Sequence, residues 1–155
     1  MAEQLNFKNI SLWEVLDKAN KSTTPADVIK SHIKTDSRIT TVLGYALNPT
    51  FKMGMPTSDP PYIPSLYETG NSPLEILNLS TKLYTMYDKT VKQYKKEEIF
   101  IQWLEQLTAN EAKLLIAIKD KSISQLFPSL TDQVMCDVLG WPLNTLISLR
   151  EKHAN

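Results

Sequence analysis

The sequence predicts an all-α fold, a single compact domain of six to eight short helices spanning residues 1–155. Three observations carry this. Apolar residues recur at helical spacing through most of the chain, and Val and Ile fall in those registers rather than alternating as in a strand. Six of the nine prolines (Pro49, Pro56, Pro60, Pro61, Pro64 and Pro73) fall together, with Gly54 and Gly70 among them. They mark a crossover loop, residues 48–72, between a helical cluster at 11–47 and a second at 73–152. The composition, 42% hydrophobic and 22% charged over 155 residues, is that of a globular chain of one-domain length.

The first helix starts after Ser11, a suitable N-cap, and places Leu12, Val15, Leu16 and Ala19 on one face. The second starts at Thr24 with Pro25 in its first turn, where the missing N–H costs nothing. The third follows Asp36 and carries Ile39, Val42, Leu43, Ala46 and Leu47. Asn48-Pro49 ends it, because a residue before proline avoids the helical region. Ser72-Pro73 repeats the cap-plus-proline start and predicts a helix to about Tyr87, with Leu79, Leu83, Met86 and Tyr87 on one side. A fifth helix is expected from about Lys95 to Leu107, its acids Glu97 and Glu98 near the positive dipole end. Thr108 and Glu111 have capping-box spacing, in which each side chain meets the other's backbone N–H. Leu114, Leu115, Ile116 and Ile118 then make the sixth helix apolar nearly all round, as a central helix should be. Shorter helices are expected from Thr131 to Leu139, stopped by Gly140, and from Leu143 to Lys152.

Several chemistries lack their usual residues. With four scattered glycines there is neither a phosphate-binding loop nor a dinucleotide fingerprint. Cys136 is the only cysteine, so an internal disulfide and a cysteine-rich zinc site are excluded; its apolar context reads as a buried thiol. His32 and His153 read as surface or satisfied histidines. No catalytic site, metal site or cofactor is expected. The N-terminus, Met1 to Lys8, has no secretory-signal pattern, and no apolar run approaches the roughly 20 residues of a membrane span. The expected setting is reducing and cytoplasmic, away from the membrane.

Seventeen basic and seventeen acidic side chains give zero formal charge, which disfavours a globally basic nucleic-acid binder. Basic residues nevertheless gather at Lys89, Lys92, Lys95 and Lys96, with Tyr94 between them, and again at Lys119-Asp120-Lys121-Ser122-Ile123-Ser124. Either group suits phosphate contacts; equally, the first suits an exposed linker and the second the negative end of a helix. With Arg38 and Arg150 the only arginines, base-specific readout is disfavoured, so any DNA contact would be to backbone and shape. The segment Pro60 to Tyr67 mixes prolines with aromatic and aliphatic residues. Tyr62, Ile63, Leu66 and Tyr67 are candidate partner contacts, set against a loop strapped over the core with Tyr62, Ile63 and Leu66 tucked in.

Certain motifs resemble known families. The stretch Leu107 to Leu115, then Lys119-Asp120-Lys121, Leu126-Phe127-Pro128-Ser129-Leu130 and Val138-Leu139-Gly140-Trp141-Pro142 resembles the end of the N-terminal helical DNA-binding domain of ATP-dependent DNA ligases. Tyr45-Ala46-Leu47-Asn48-Pro49-Thr50-Phe51 is similar to a tyrosine–alanine–proline–phenylalanine stretch of the same domain. The ligase catalytic domain has no counterpart, and Lys121-Ser122-Ile123-Ser124 lacks the arginine and glycine usual at the ligase domain's contact turn. A closer likeness is to small stand-alone proteins of tailed bacteriophages without assigned function. It covers nearly the whole chain and rests on Pro61-Tyr62-Ile63-Pro64, Phe100 to Glu105 and Ala117 to Lys121.

The resemblance implies a non-catalytic phage accessory protein in the cytoplasm of an infected cell. The expected function is a protein-interaction module on a host or phage replication or transcription complex. The alternative is sequence-independent duplex-DNA binding through Lys89, Lys92, Lys95, Lys96, Lys119, Lys121, Ser122 and Ser124. Fold likeness to a DNA-binding domain does not by itself confer DNA binding.

Overall fold

A computed structural model describes residues 10–56, 59–68 and 71–152. Met1 to Lys8 and His153, which entered the sequence reading, lie outside the described residues. The protein is all-α. Among the described residues the helices are α1 (Leu12–Asn20), α2 (Pro25–Ile33), α3 (Arg38–Leu47), a 3-10 helix (Ile76–Thr81), α4 (Tyr84–Tyr87), α5 (Gln93–Gln106), α6 (Ala109–Asp120), α7 (Ile123–Leu126), α8 (Asp132–Leu139) and α9 (Leu143–Lys152).

Helix α6 is the axis of the molecule: α1, α3, α5 and α7 all pack against it. Leu114, Leu115, Ile116, Ala117 and Ile118 are all buried, so its apolar residues are covered on every side. Helices α2, α3 and α9 close around α8, where Cys136 is fully buried. Local chemistry fixes the helix starts. Ser11 and Glu14 form a complete capping box, each side chain on the other's backbone N–H at 3.2 and 3.0 Å. Thr131 caps α8 through the Val134 N–H, and Gly140 ends that helix with φ 73°, a left-handed turn that favours glycine.

The described residues hold ten helical elements where six to eight were expected, the extra ones being single turns such as α7, and three further features differ from the sequence reading. Residues after Pro73 do not begin a helix. Glu75 is extended, a 3-10 helix runs only to Thr81, and α4 is a single turn. The cause is long-range: the Ile76 N–H donates to the Glu111 carboxylate at 3.0 Å, on α6. The Thr108–Glu111 capping box is therefore only half formed. Thr108 Oγ1 accepts the Glu111 N–H at 3.2 Å, but the Glu111 side chain reaches across to Ile76. Helix α5 begins two residues earlier than expected. Its first turn holds Lys95 and Lys96 with no acid, and Glu97 and Glu98 fall in the second turn.

Candidate functional site: the proline strap and the α6–α7 turn

Residues 59–68 of the crossover have no helical structure and follow α5 toward its end, from Asp59 to Pro61 beside Glu97 and Phe100, then on to Ile63 beside Glu105. Three hydrogen bonds fix this path. The Lys119 ammonium donates to the Pro56 carbonyl at 2.6 Å, the Ile63 N–H to Glu105 Oε2 at 3.0 Å, and the Ser65 hydroxyl to the Leu107 carbonyl at 2.5 Å. Prolines at 60, 61 and 64 lower the entropy lost in holding an extended course. The strap is thus held by the Ile63 amide and the Ser65 hydroxyl, and the chain just before it by the Pro56 carbonyl.

Its side chains divide. Tyr62 is half-buried, and burial, then the charge of Asp59, pushes its hydroxyl up. Ile63 and Leu66, by contrast, are 77% and 98% exposed, and Tyr67 is 45% exposed. A core-covering strap would turn these residues inward, and this one does not. A cavity of about 120 Å³ is lined by Met55, Pro56 and Asp59 to Pro61 on one side and by Glu97, Phe100 and Lys119 on the other.

The α6–α7 turn is built quite differently from a phosphate-contact loop. Lys121 ends α6 in a left-handed conformation, φ 58°, and the Ser122 N–H returns to the Ala117 carbonyl at 2.9 Å. That geometry turns the Lys121 side chain back into the protein. Its ammonium donates to the Tyr45 carbonyl in the last turn of α3 at 2.5 Å and lies 5.8 Å from the Tyr87 ring centroid. Burial brings its pKa down to about 8. Tyr87 stacks on Tyr45 at 4.9 Å, and Phe51 meets Tyr45 edge-on at 5.0 Å. The Tyr87 hydroxyl is buried without a hydrogen bond, and burial, then the neighbouring Tyr45, pushes it up.

The candidate phosphate contacts are therefore corrected residue by residue. Lys119 is buried with its ammonium between Pro56 and Asp120, and Lys121 clamps α3; both ammonium groups are engaged inside the fold. Lys96 continues the inward face of α5 with Phe100 and Leu104, and its stem is buried. Ser122 is half-buried, and Ser124 is exposed. Lys89, Lys92 and Lys95 are exposed at the corner between α4 and α5, as are Lys82, Tyr84 and Tyr94. Ile63 and Ser65, bonded to Glu105 and Leu107, thus lie at the opposite end of α5 from the corner, while Asp59 to Pro61 lie beside Glu97 and Phe100 nearer its start.

Sequence reasoning did not find Glu111. It is 1% exposed, and desolvation raises its pKa to about 7, against the opposing pull of the Ile76, Trp13 and Leu12 amides. Its place three residues after Thr108 signalled only a cap. Cys136 is fully buried, and burial pushes its thiol up, away from the reactive thiolate. Among the described residues no three of His, Cys, Asp and Glu come together as a metal site would require. No helix among them is long and apolar enough to cross a membrane.

A family model described as a family of unknown function (DUF6433) matches residues 15–125, well over half of the chain. The chain belongs to this family. The match runs from α1 to α7 and takes in the strap, the α4–α5 corner and the Lys121 turn. No curated protein and no solved structure matches the chain.

Proposed function

We propose that this protein is a non-catalytic protein-interaction module whose docking segment is the strap, residues 59–68. The observation that carries the reading is the exposure of Leu66 and Ile63, at 98% and 77%, on a segment anchored at Ile63 by Glu105 and at Ser65 by Leu107. Exposed apolar residues grouped on a fixed backbone mark a contact surface, because the partner need not order the segment on binding. The setting, a bacteriophage accessory protein in an infected cell acting on a host or phage replication or transcription complex, rests on the sequence resemblance alone. A photo-crosslinking residue at position 66 tests the reading. A discrete nuclease-resistant adduct at position 66, absent with the same group at Lys30 on α2, is expected. Equal labelling at both positions, or none, rejects the strap as the docking segment.

A second reading, sequence-independent binding of duplex DNA, is favoured by the exposure of Lys89, Lys92 and Lys95 beside Tyr94, itself 67% exposed. With Lys119 and Lys121 engaged internally, these three lysines carry it. Three phosphate contacts give a log–log salt slope of about −3. Salt-insensitive binding, or none at low salt, rejects it.

A further inference from the structure

We propose that a second copy of this chain occupies the strap, docking through its α4–α5 corner, so that copies associate head to tail. The proposal rests on the reading of the strap as a docking surface and names one occupant for it.

Helix α5 connects the two surfaces. Its 14 residues span about 20 Å. Charge changes sign along it. Lys92, Lys95 and Lys96 stand at its start, with no acid in the first turn and no side chain capping it. Glu97 and Glu98 follow, and Glu105 lies in the last turn, which holds no base. The helix dipole favours the reverse order, acids first and bases last. Stability of α5 alone therefore does not explain the arrangement, whereas a charge-matched contact between its two ends does.

The surfaces are complementary in two respects. The strap end presents Glu105 beside Ile63, Leu66 and Tyr67, with the exposed Glu68 next in the chain. The corner presents Lys82, Lys89, Lys92 and Lys95 around Tyr84 and Tyr94, which are 62% and 67% exposed. The corner also carries acids: Asp88 accepts from the Thr90 N–H and hydroxyl, and Glu98 lies 3.9 Å from Lys95, so Lys82, Lys89 and Lys92 supply most of its positive charge. Of the seven large apolar side chains exposed among the described residues, five lie on these two surfaces. Neither surface matches itself, since strap against strap sets acid on acid and corner against corner sets base on base. The contact is therefore heterologous, and a chain of copies grows until it closes or ends.

Analytical ultracentrifugation of the full chain tests this, over a hundredfold concentration range at low and high salt. At low salt the weight-average mass is expected to climb past that of a dimer of the 17.6 kDa chain, and high salt is expected to reverse it. Leu66→Asp and the double variant Lys92→Glu/Lys95→Glu are each expected to stay monomeric. All three positions are exposed, and matched melting curves confirm that both variants fold. Mixed together, the variants retain one good strap and one good corner and are expected to form a one-to-one dimer and nothing larger. A monomeric wild type at the highest concentration overturns the proposal, as does a mixture that stays monomeric. Association abolished by Leu66→Asp but untouched by the lysine reversals overturns it too, since it indicates an isologous strap contact. A monomeric wild type that still gives the position-66 adduct to another protein overturns this inference while leaving the docking reading standing; loss of both removes both.

Discussion

Glu111 joins segments far apart in sequence: it sits in the first turn of α6, takes the Ile76 N–H, and lies near the amides that open α1. Burial raises its pKa from 4.5 to about 7, so between those values the folded protein binds the extra proton. Stability from this group is full below pH 4.5 and is lost as pH rises through 7. Glu111→Gln keeps an acceptor for Ile76 and removes the buried charge. It is expected to raise stability at pH 8 by on the order of 2–3 kcal/mol and to flatten the profile between pH 4.5 and 7, read by denaturant titration at each pH. Lys121 adds a second residue-scale test. Its φ of 58° favours glycine, so Lys121→Gly and Lys121→Ala lose the same clamp on Tyr45 but differ in backbone strain. The glycine variant is expected to be the more stable of the two by about 1 kcal/mol in thermal unfolding. Neither role was legible in sequence. Glu111 reads as a cap because its true acceptor duty lies 35 residues away, and Lys121 reads as a phosphate contact or a helix-end base because nothing local announces a left-handed turn without glycine.

At the scale of elements, local signals succeeded where the local partner is the real one. Ser11, Pro25, Thr131 and Gly140 start or stop their helices as their residue types require. The same logic failed at Ser72-Pro73, where the pull of Glu111 on Ile76 holds Glu75 extended and leaves only short 3-10 and α pieces. The crossover was legible from its prolines, but its tethers were not, since Glu105, Leu107 and Lys119 lie more than 40 residues further along the chain. Those tethers make a prediction of their own. Ser65→Ala with Glu105→Ala removes the Ser65–Leu107 and Ile63–Glu105 hydrogen bonds without touching the core. Proteolysis and hydrogen exchange within residues 59–68 are expected to quicken, with global stability changed by less than about 1 kcal/mol.

At the scale of the whole molecule, zero net charge conceals a separation along α5, acids and apolar side chains at the strap, lysines and tyrosines at the corner. The motifs that resemble a DNA-binding domain meet in the fold: Tyr45 and Phe51 from one, Lys121 from the other, joined through Tyr87. Here they form a packing knot, which leaves the strap as the surface whose exposure the fold does not explain. The central claim is that Ile63 and Leu66 are there to be covered by a partner. The most direct measurement is a paired one on Ile63→Ser/Leu66→Ser: its melting temperature, and the proteins that co-purify with it from the producing cells after nuclease treatment, against wild type. The account expects an unchanged melting temperature, because the two side chains hold nothing in the core, together with loss of the wild-type partner. A lowered melting temperature with the partner retained would contradict it, showing that the strap serves the fold and that the contact lies elsewhere.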